Sequence, residues 1–351
     1  MMQSQGSNQE CWDILILGAG ISGLSARRAL LDAGLKVLTL EKSRGLGGRM
    51  SSRRFSEDWG GGIADLGAQF FSVRGNDFRM LLEKAPKGLI SAISVESDST
   101  HTRFIHRGGM NQVARLLLGE SLEEDLAPIR RSTRAVRLSR ERDEGADGYW
   151  KIECEGGEVF RAFAVILTAP LPQSIELLKQ SGAVQALSDF QSLRETQYHP
   201  CLAAVYPLEF DSGLEPFGII RNVSPRISGL FDQGKKGIQS GANFLVLHTT
   251  PETSRELWDD AADEVLSELW AEALDALPRI YKKGPARALP VNSILHKWRY
   301  CEPVQPLSIP YASSGSSLFL AGDAFIGARV EGAFESGRQA AHALIRERQR
   351  R

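Results

Sequence analysis

Three glycines in the order Gly18-x-Gly20-x-x-Gly23 follow an apolar run, and an acid, Glu41, stands eighteen positions beyond the third. Each glycine answers a separate need in that pattern. The first permits a tight turn, the second lets a pyrophosphate approach the backbone, and the third lets a helix pack closely on a strand. Ile21 and Ser22 complete the turn at the helix start, where free amides and the positive end of the helix dipole favour phosphate. A carboxylate in the place of Glu41 accepts hydrogen bonds from ribose hydroxyls. The chemistry implied is binding of an adenine dinucleotide, and the glycines alone do not separate FAD from NAD.

The elements that must hold these residues are legible around them. Trp12 to Leu17 is short and apolar on both faces, as a buried parallel strand should be. Ile21, Leu24 and Leu31 recur at helical spacing up to Gly34, a natural helix stop, and Lys36 to Leu40 reads as a second strand ending in Glu41. A further strand, Ala164 to Thr168, runs into Pro170 and Pro172, which forbid simple continuation. Beyond it, strand-like stretches (Leu202 to Tyr206, Phe244 to His248) mix with an amphipathic helix expected over Ser254 to Leu277. Ser317 to Ala321 is another buried strand, followed by Gly322-Asp323 and a helix from about Glu331. Strands of the nucleotide unit thus lie at both ends of the chain, so that unit is expected to be discontinuous.

Composition narrows the class. The chain has 351 residues, 42 basic against 43 acidic, and a net charge of -1, so no global basic field exists to drive binding to nucleic acid or anionic lipid. The local cluster Arg130, Arg131, Arg134 and Arg137 reads as a solvated face. Cys11, Cys154, Cys201 and Cys301 lie far apart without a CxxC pair, which encodes neither a zinc site nor a dithiol motif and points to a reducing, cytoplasmic setting. Met1 to Glu10 lacks the apolar region of a secretory signal, and no run approaches the ~20 apolar residues of a membrane helix. No metal site is expected.

The block Glu41-Lys42-Ser43-Arg44-Gly45-Leu46-Gly47-Gly48-Arg49-Met50, followed by Asp65-Leu66-Gly67-Ala68-Gln69-Phe70-Phe71, resembles the flavin-dependent amine oxidase superfamily. That resemblance implies FAD, bound without a covalent link, since Cys301 sits in no attachment motif. It also implies that the loop carrying Lys42, Arg44, Gly48, Arg49 and Met50 follows the pyrophosphate, with Arg49 in contact. Gly67, Ala68 and Gln69 would run beside the isoalloxazine. The stretch Leu320 to Gly337 resembles the closing motif of the superfamily: Gly322 and Asp323 at the ribityl or phosphate portion, and Val330, Glu331, Gly332 and Ala333 at a helix N-terminus facing the flavin pyrimidine. A positive helix end there stabilises the charge of reduced flavin. Glu331 has the alternative of capping its own helix. Ser132 to Leu138 resembles the strand that sets a valine backbone, here Val136, against adenine.

The implied fold is α/β: a discontinuous Rossmann-like FAD-binding domain (1–75, 101–172 and 291–351) with a second α+β substrate domain (76–100 and 173–290), an amine-oxidase or p-hydroxybenzoate-hydroxylase-like architecture. Within the superfamily the chain resembles the renalase-like group, through Lys42 to Ser52, Gly67 to Phe71, Leu247-His248-Thr249-Thr250, His296-x-Trp298-x-Tyr300 and Gly327 to Ala333. This implies an FAD oxidase that takes hydride from dihydropyridine isomers of NAD(P)H and reduces O2 to H2O2. His248, Gln69, Trp298 and Tyr300 would line the substrate cavity, with core packing the alternative for His248, Trp298 and Tyr300. Two other readings stand beside it: an amine oxidase or related desaturase, and a flavin-binding protein without turnover. Against an amine oxidase, Lys297 is placed by strand alternation on the face opposite Trp298. Gly108-Gly109-Met110-Asn111-Gln112 reads as a turn into a helix, with close approach of its backbone to the cofactor the alternative.

Overall fold

The computed structural model describes residues 11–93, 102–119, 129–142, 148–183, 191–215, 217–238, 241–277, 288–315 and 317–350. The stretch 1–10, expected to carry no secretory signal, lies outside them.

The apolar run ahead of the glycine turn forms the strand Cys11–Leu17, whose last four residues are buried. It pairs in parallel with Val37–Leu40 on one side and Val159–Leu167 on the other; Val159–Leu167 pairs in parallel with Leu318–Leu320, and Val37–Leu40 with Ile129–Arg130. A sheet buried on both faces needs cover on each, and apolar residues without alternation supply it. The helices Ile21–Asp32 and Val330–Gln349 cover one face, with Ala26, Leu30, Ala340 and Leu344 packed on Ile14, Ile16 and Ile166. Leu15, Leu17, Val165, Leu167 and Leu320 pack on the other. Strands from both ends of the chain therefore share one sheet, as expected. Residues 130, 131, 134 and 137 are exposed, as a solvated basic face should be.

A second sheet of five antiparallel strands runs in the order Ile219–Arg221, Ile227–Asp232, Asn243–Thr249, Tyr198–Leu208, Ile294–Pro303. One face packs on the helix Ala262–Ala276 through Leu202, Tyr206, Leu245, Leu247 and Trp270. The other face, with Val205, Phe231 and Val246, meets Phe55, Ala64 and Leu66.

The expected boundaries shift in three places. Ile294–Pro303 is an edge strand of the second sheet, so the chain re-enters the large sheet at Ala312–Ser314 and Leu318–Leu320 rather than at 291. Phe71–Ser72, Ile90–Ile93 and Arg103–His106 join in one small sheet, which places pieces of both expected units side by side. The helix expected over Ser254 to Leu277 is two helices, Pro251–Glu256 and Ala262–Ala276. The break holds Asp259 and Asp260, which disfavour a helix interior, while Asp263 and Glu264 suit the first turn of the second helix.

Candidate FAD and substrate site

The turn at the end of the first strand is built as its spacing requires. Gly18 has φ +113°, open to glycine but strained for other residues, and a Cβ on Gly23 would lie 1.9 Å from the Gly18 carbonyl oxygen. Gly20 is different. Its φ of -74° is ordinary, and a Cβ there would meet nothing within 4 Å. The packing of the protein alone does not call for glycine at that position; open space at the start of an uncapped helix, where a pyrophosphate would approach, does. The residues therefore fit a dinucleotide. The Glu41 carboxylate accepts the Ala19 amide at 2.8 Å and the Ser43 amide at 2.7 Å, tying the turn to the end of the second strand. Gly47 donates its amide to the Ala19 carbonyl (2.9 Å), which draws the loop of Arg44, Gly48 and Arg49 across the turn. Lys42 reaches outward to Gln173 at 3.1 Å, Arg44 is exposed, and Met50 is buried among Ala19, Ile21 and Leu24.

Arg49 and Asp323 come from opposite ends of the chain and meet in a bidentate pair, 2.5 Å for each bond. Arg49 also donates to the carbonyls of Tyr300 (3.2 Å) and Cys301 (3.1 Å), and the Tyr198 hydroxyl donates to Asp323 at 3.0 Å. Burial works against the Arg49 charge, and the attraction and hydrogen bonds of Asp323 outweigh it, so the guanidinium pKa stands above its ordinary value. Tyr300 meets Tyr198 edge-on at 5.9 Å, on this side of the site.

Between the two sheets the Leu66 carbonyl collects two donors. Trp298 Nε1 lies 3.1 Å from it and His248 Nε2 3.0 Å. A carbonyl only accepts, so the network assigns the His248 proton to Nε2 and leaves Nδ1 with its lone pair. Burial lowers the His248 pKa to about 4, the Lys236 charge adding to it against the Leu66 hydrogen bond. Trp298 stacks edge-on with His296 at 4.3 Å. Lys297 points to the other face, donating to the Trp258 carbonyl, as alternation predicts.

Gln69 sits behind this carbonyl rather than in an open wall. It is 4% exposed, donates to the carbonyls of Asp65 (2.5 Å) and Gly67 (3.2 Å), and accepts from Lys236 Nζ (2.8 Å) and Gln233 Nε2 (3.1 Å). Gly67 has no room for a side chain, since a Cβ would lie 2.0 Å from the Arg49 carbonyl oxygen, and the Ala68 amide donates to that same oxygen at 2.9 Å. Gly109, at φ +94°, has no room for a side chain, since a Cβ would lie 2.6 Å from Ser52 Oγ, and the Met110 amide donates to Asp65 Oδ1 at 2.8 Å, so that segment is a turn into the helix Asn111–Arg115.

At the C-terminal helix, Glu331 does not cap its own turn. Its carboxylate accepts the amides of Arg74 (2.9 Å) and Gly75 (2.6 Å). The helix has no side-chain cap at Arg329, and Val330, Glu331 and Gly332 thus present first-turn amides without one. A Cβ on Gly332 would lie 2.3 Å from the Gly327 carbonyl oxygen, and Ala333 is 7% exposed. The Gly322 amide donates to Ser336 Oγ at 2.9 Å. Val136 is 38% exposed, on a strand that follows Ser132 and Thr133, whose amides donate to the carbonyls of Ser43 and Glu41.

Several residues in this arrangement carry no local motif. Thr168 Oγ1 donates to Leu17 and Gly18 carbonyls (3.0 and 3.1 Å), fixing the glycine turn from a distant strand. Tyr198 likewise arrives from the second sheet, and Gln233 and Lys236 from the turn that follows its strand Ile227–Asp232. The pairing of Lys236 with Asp65 appears only once the fold brings the two together. Among the described residues, no group of His, Cys, Asp or Glu forms a metal site, and no helix is long and apolar enough to cross a membrane.

A family model described as flavin containing amine oxidoreductase matches residues 80–345, and one described as NAD(P)-binding Rossmann-like domain matches residues 16–85. The chain is similar to a thiamine thiazole synthase of Methanococcus aeolicus, 33% identical over 118 residues, which is 32% of this chain and only 39% of that protein. It is similar to renalase of Mus musculus, 24% identical over 315 residues, 84% of this chain and 86% of that one. In structure it resembles cyclohexylamine oxidase from Brevibacterium oxydans, with a TM-score of 0.65, 16% identity, and coverage of 97% of this chain and 100% of the other. At that identity the structural likeness carries the fold.

Proposed function

The chain belongs to the flavin containing amine oxidoreductase family and is an FAD-dependent oxidoreductase, and from that premise we propose that it oxidises dihydropyridine isomers of NAD(P)H, as a renalase-like enzyme does. The observation that carries this reading is the convergence of His248 Nε2 and Trp298 Nε1 on the Leu66 carbonyl. A neutral hydrogen-bonding ring and an indole thereby lie beside the segment Gly67, Ala68 and Gln69, which the resemblance to the superfamily implies for the isoalloxazine edge. FAD, when bound, supplies the hydride acceptor at N5 and the route of both electrons to O2, which leaves as H2O2.

The tasks left to the chain are orientation and exclusion of water. His248 Nδ1, uncharged and lone-pair-bearing near neutral pH, accepts a hydrogen bond from a carboxamide and sets the angle of a nicotinamide ring. Trp298 supplies a flat wall, and Gln69, held by Lys236, stiffens the backbone opposite. Arg49, Asp323 and the amides of Val330, Glu331 and Gly332 hold the cofactor, with Glu41 at its ribose and Gly18, Gly20 and Gly23 at its phosphates. Amine chemistry finds less support. Trp298 has His296 and Tyr300 has Tyr198 as ring neighbours, and Lys297 points to the face opposite Trp298. Four free cysteines suit a reducing cytoplasm.

The test is anaerobic mixing with NADH isomers reduced at ring position 2 or 6, with ordinary NADH and a panel of amines alongside. Bleaching of oxidised-flavin absorbance by the isomers alone, with recovery and peroxide on admitting O2, is the expected result. Bleaching by an amine alone would replace the reading with amine oxidation.

A further inference from the structure

Arg103 and Arg221 converge on one ring, that of Phe70, with guanidinium carbons 4.6 and 5.9 Å from its centroid. They come from different sheets, Arg103–His106 and Ile219–Arg221. Among the described residues neither has a carboxylate partner, and Arg103 Nη1 is buried without a hydrogen-bond partner. Two like charges held together beside an unsatisfied buried donor are costly to keep without a role, and planar guanidinium pairs match phosphate oxygens in geometry and charge. Burial lowers the Arg103 pKa, and the Arg221 charge lowers it further.

Their place relative to His248 follows from strand register. Residues directly opposite across antiparallel strands share a face, and Arg221 pairs with Gly229, Gly229 with His248, His248 with Ala203, and Ala203 with His296. Arg221 therefore stands in one row with His248, two strand spacings or about 10 Å away. Gly229 lies between them. It carries no side chain, and a Cβ there would come within 2.6 Å of the Phe231 ring. Along this row the Phe231 ring lies beside the Gly229 position and 5.1 Å from the His248 ring, with Arg221 at the far end.

We propose that Arg103 and Arg221 form an anion site that takes a phosphate or pyrophosphate group of the substrate while His248 and Trp298 hold its reacting ring. The proposal rests on the nicotinamide reading and adds its specificity element: the pair binds the dinucleotide's own phosphates and repels cationic amines.

The experiment uses the flavin-loaded enzyme with Arg103→Gln, Arg221→Gln and both together, and compares the 6-dihydro isomer of NADH with the phosphate-free 6-dihydronicotinamide riboside. Each change is expected to raise KM for the dinucleotide about tenfold or more, with Arg221→Lys recovering part, while KM for the riboside hardly moves. Arg221 is exposed, so its variant remains informative if Arg103→Gln fails to fold. A dinucleotide KM unchanged, or one that rises in step with the riboside KM, overturns the anion site and leaves the nicotinamide reading in place. If no isomer reduces the flavin, calorimetric binding of inorganic pyrophosphate decides. Binding that disappears in the double variant keeps the anion site and discards the nicotinamide; binding absent in the parent, or undiminished in the double variant, discards the site.

Discussion

Lys236 Nζ lies 2.8 Å from Asp65 Oδ2, and neither side chain has exposed surface. The ammonium also donates to Gln69 Oε1, and Asp65 Oδ1 takes Ser52 Oγ (2.5 Å) and the Met110 amide. Burial lowers the Lys236 pKa, and Asp65 holds it up against that pressure. A buried pair survives when each charge is fully hydrogen-bonded, and removing one partner leaves the other uncompensated. Lys236→Met is therefore expected to cost about 3–5 kcal/mol of folding stability, read as a fall in the urea midpoint. Lys236→Met with Asp65→Asn, which leaves no bare charge, is expected to recover part of that loss. A double variant as unstable as the summed singles would show the charges do not compensate one another.

His248 makes stability acid-sensitive in a defined window. Its folded pKa is about 4 against an ordinary 6.5, because burial disfavours the charged ring. Between those values the unfolded chain takes up a proton that the folded chain refuses. The contribution is thus fully present above pH 6.5 and is lost as pH falls toward 4, on the order of 3 kcal/mol at most. Urea midpoints at pH 7.5 and 5.5, compared between the parent and His248→Gln, isolate it from carboxylates that titrate lower. The parent is expected to lose more stability over this interval than the variant. Equal losses would mean the ring is protonated within the fold.

What the sequence made legible was local. The glycine turn, its strand, its helix and Glu41 lie within one short stretch whose spacing has a single physical solution. Lys236 and Asp65 stand 171 residues apart, and no spacing rule connects them. Trp298 and Tyr300 alternate along a strand and were expected on one wall. A register shift between His199 and Cys201 lies on the neighbouring strand, and Tyr300 meets Tyr198 beside the Arg49–Asp323 pair, a contact across strands that no local spacing predicts. Arg49 and Asp323 were each readable as cofactor residues through resemblance, but their mutual pairing depends on the two ends of the chain sharing a sheet.

Gly20 and Gly23 are expected to separate cofactor affinity from folding. Gly20→Ala introduces a methyl group into open space at an ordinary φ, so the apoprotein should keep its melting temperature or gain slightly from a stiffer unfolded chain. Its FAD affinity should fall, because the methyl stands where the pyrophosphate approaches. Gly23→Ala drives a methyl to 1.9 Å from a carbonyl oxygen and should destabilise the apoprotein itself. Melting of apoprotein together with fluorescence titration of FAD reads both. Undiminished FAD affinity in Gly20→Ala would remove the phosphate from that turn.

Asp323→Asn tests whether the Arg49 pair belongs to the cofactor or only to the scaffold. The pair is mostly shielded, with 25% and 11% of the side chains exposed, so the change should cost the apoprotein about 1.5–3 kcal/mol through a weakened charged hydrogen bond. A scaffold role would end there. The Arg49 carbonyl, however, anchors the Ala68 amide and touches Gly67, so a displaced Arg49 shifts the backbone that carries the Leu66 carbonyl and, through it, His248 and Trp298. Gel filtration followed by the ratio of visible to ultraviolet absorbance should show FAD lost from Asp323→Asn and from Arg49→Gln, and FAD that remains should have an altered visible spectrum. Full retention with an unchanged spectrum, at reduced stability, would assign the pair to the scaffold alone.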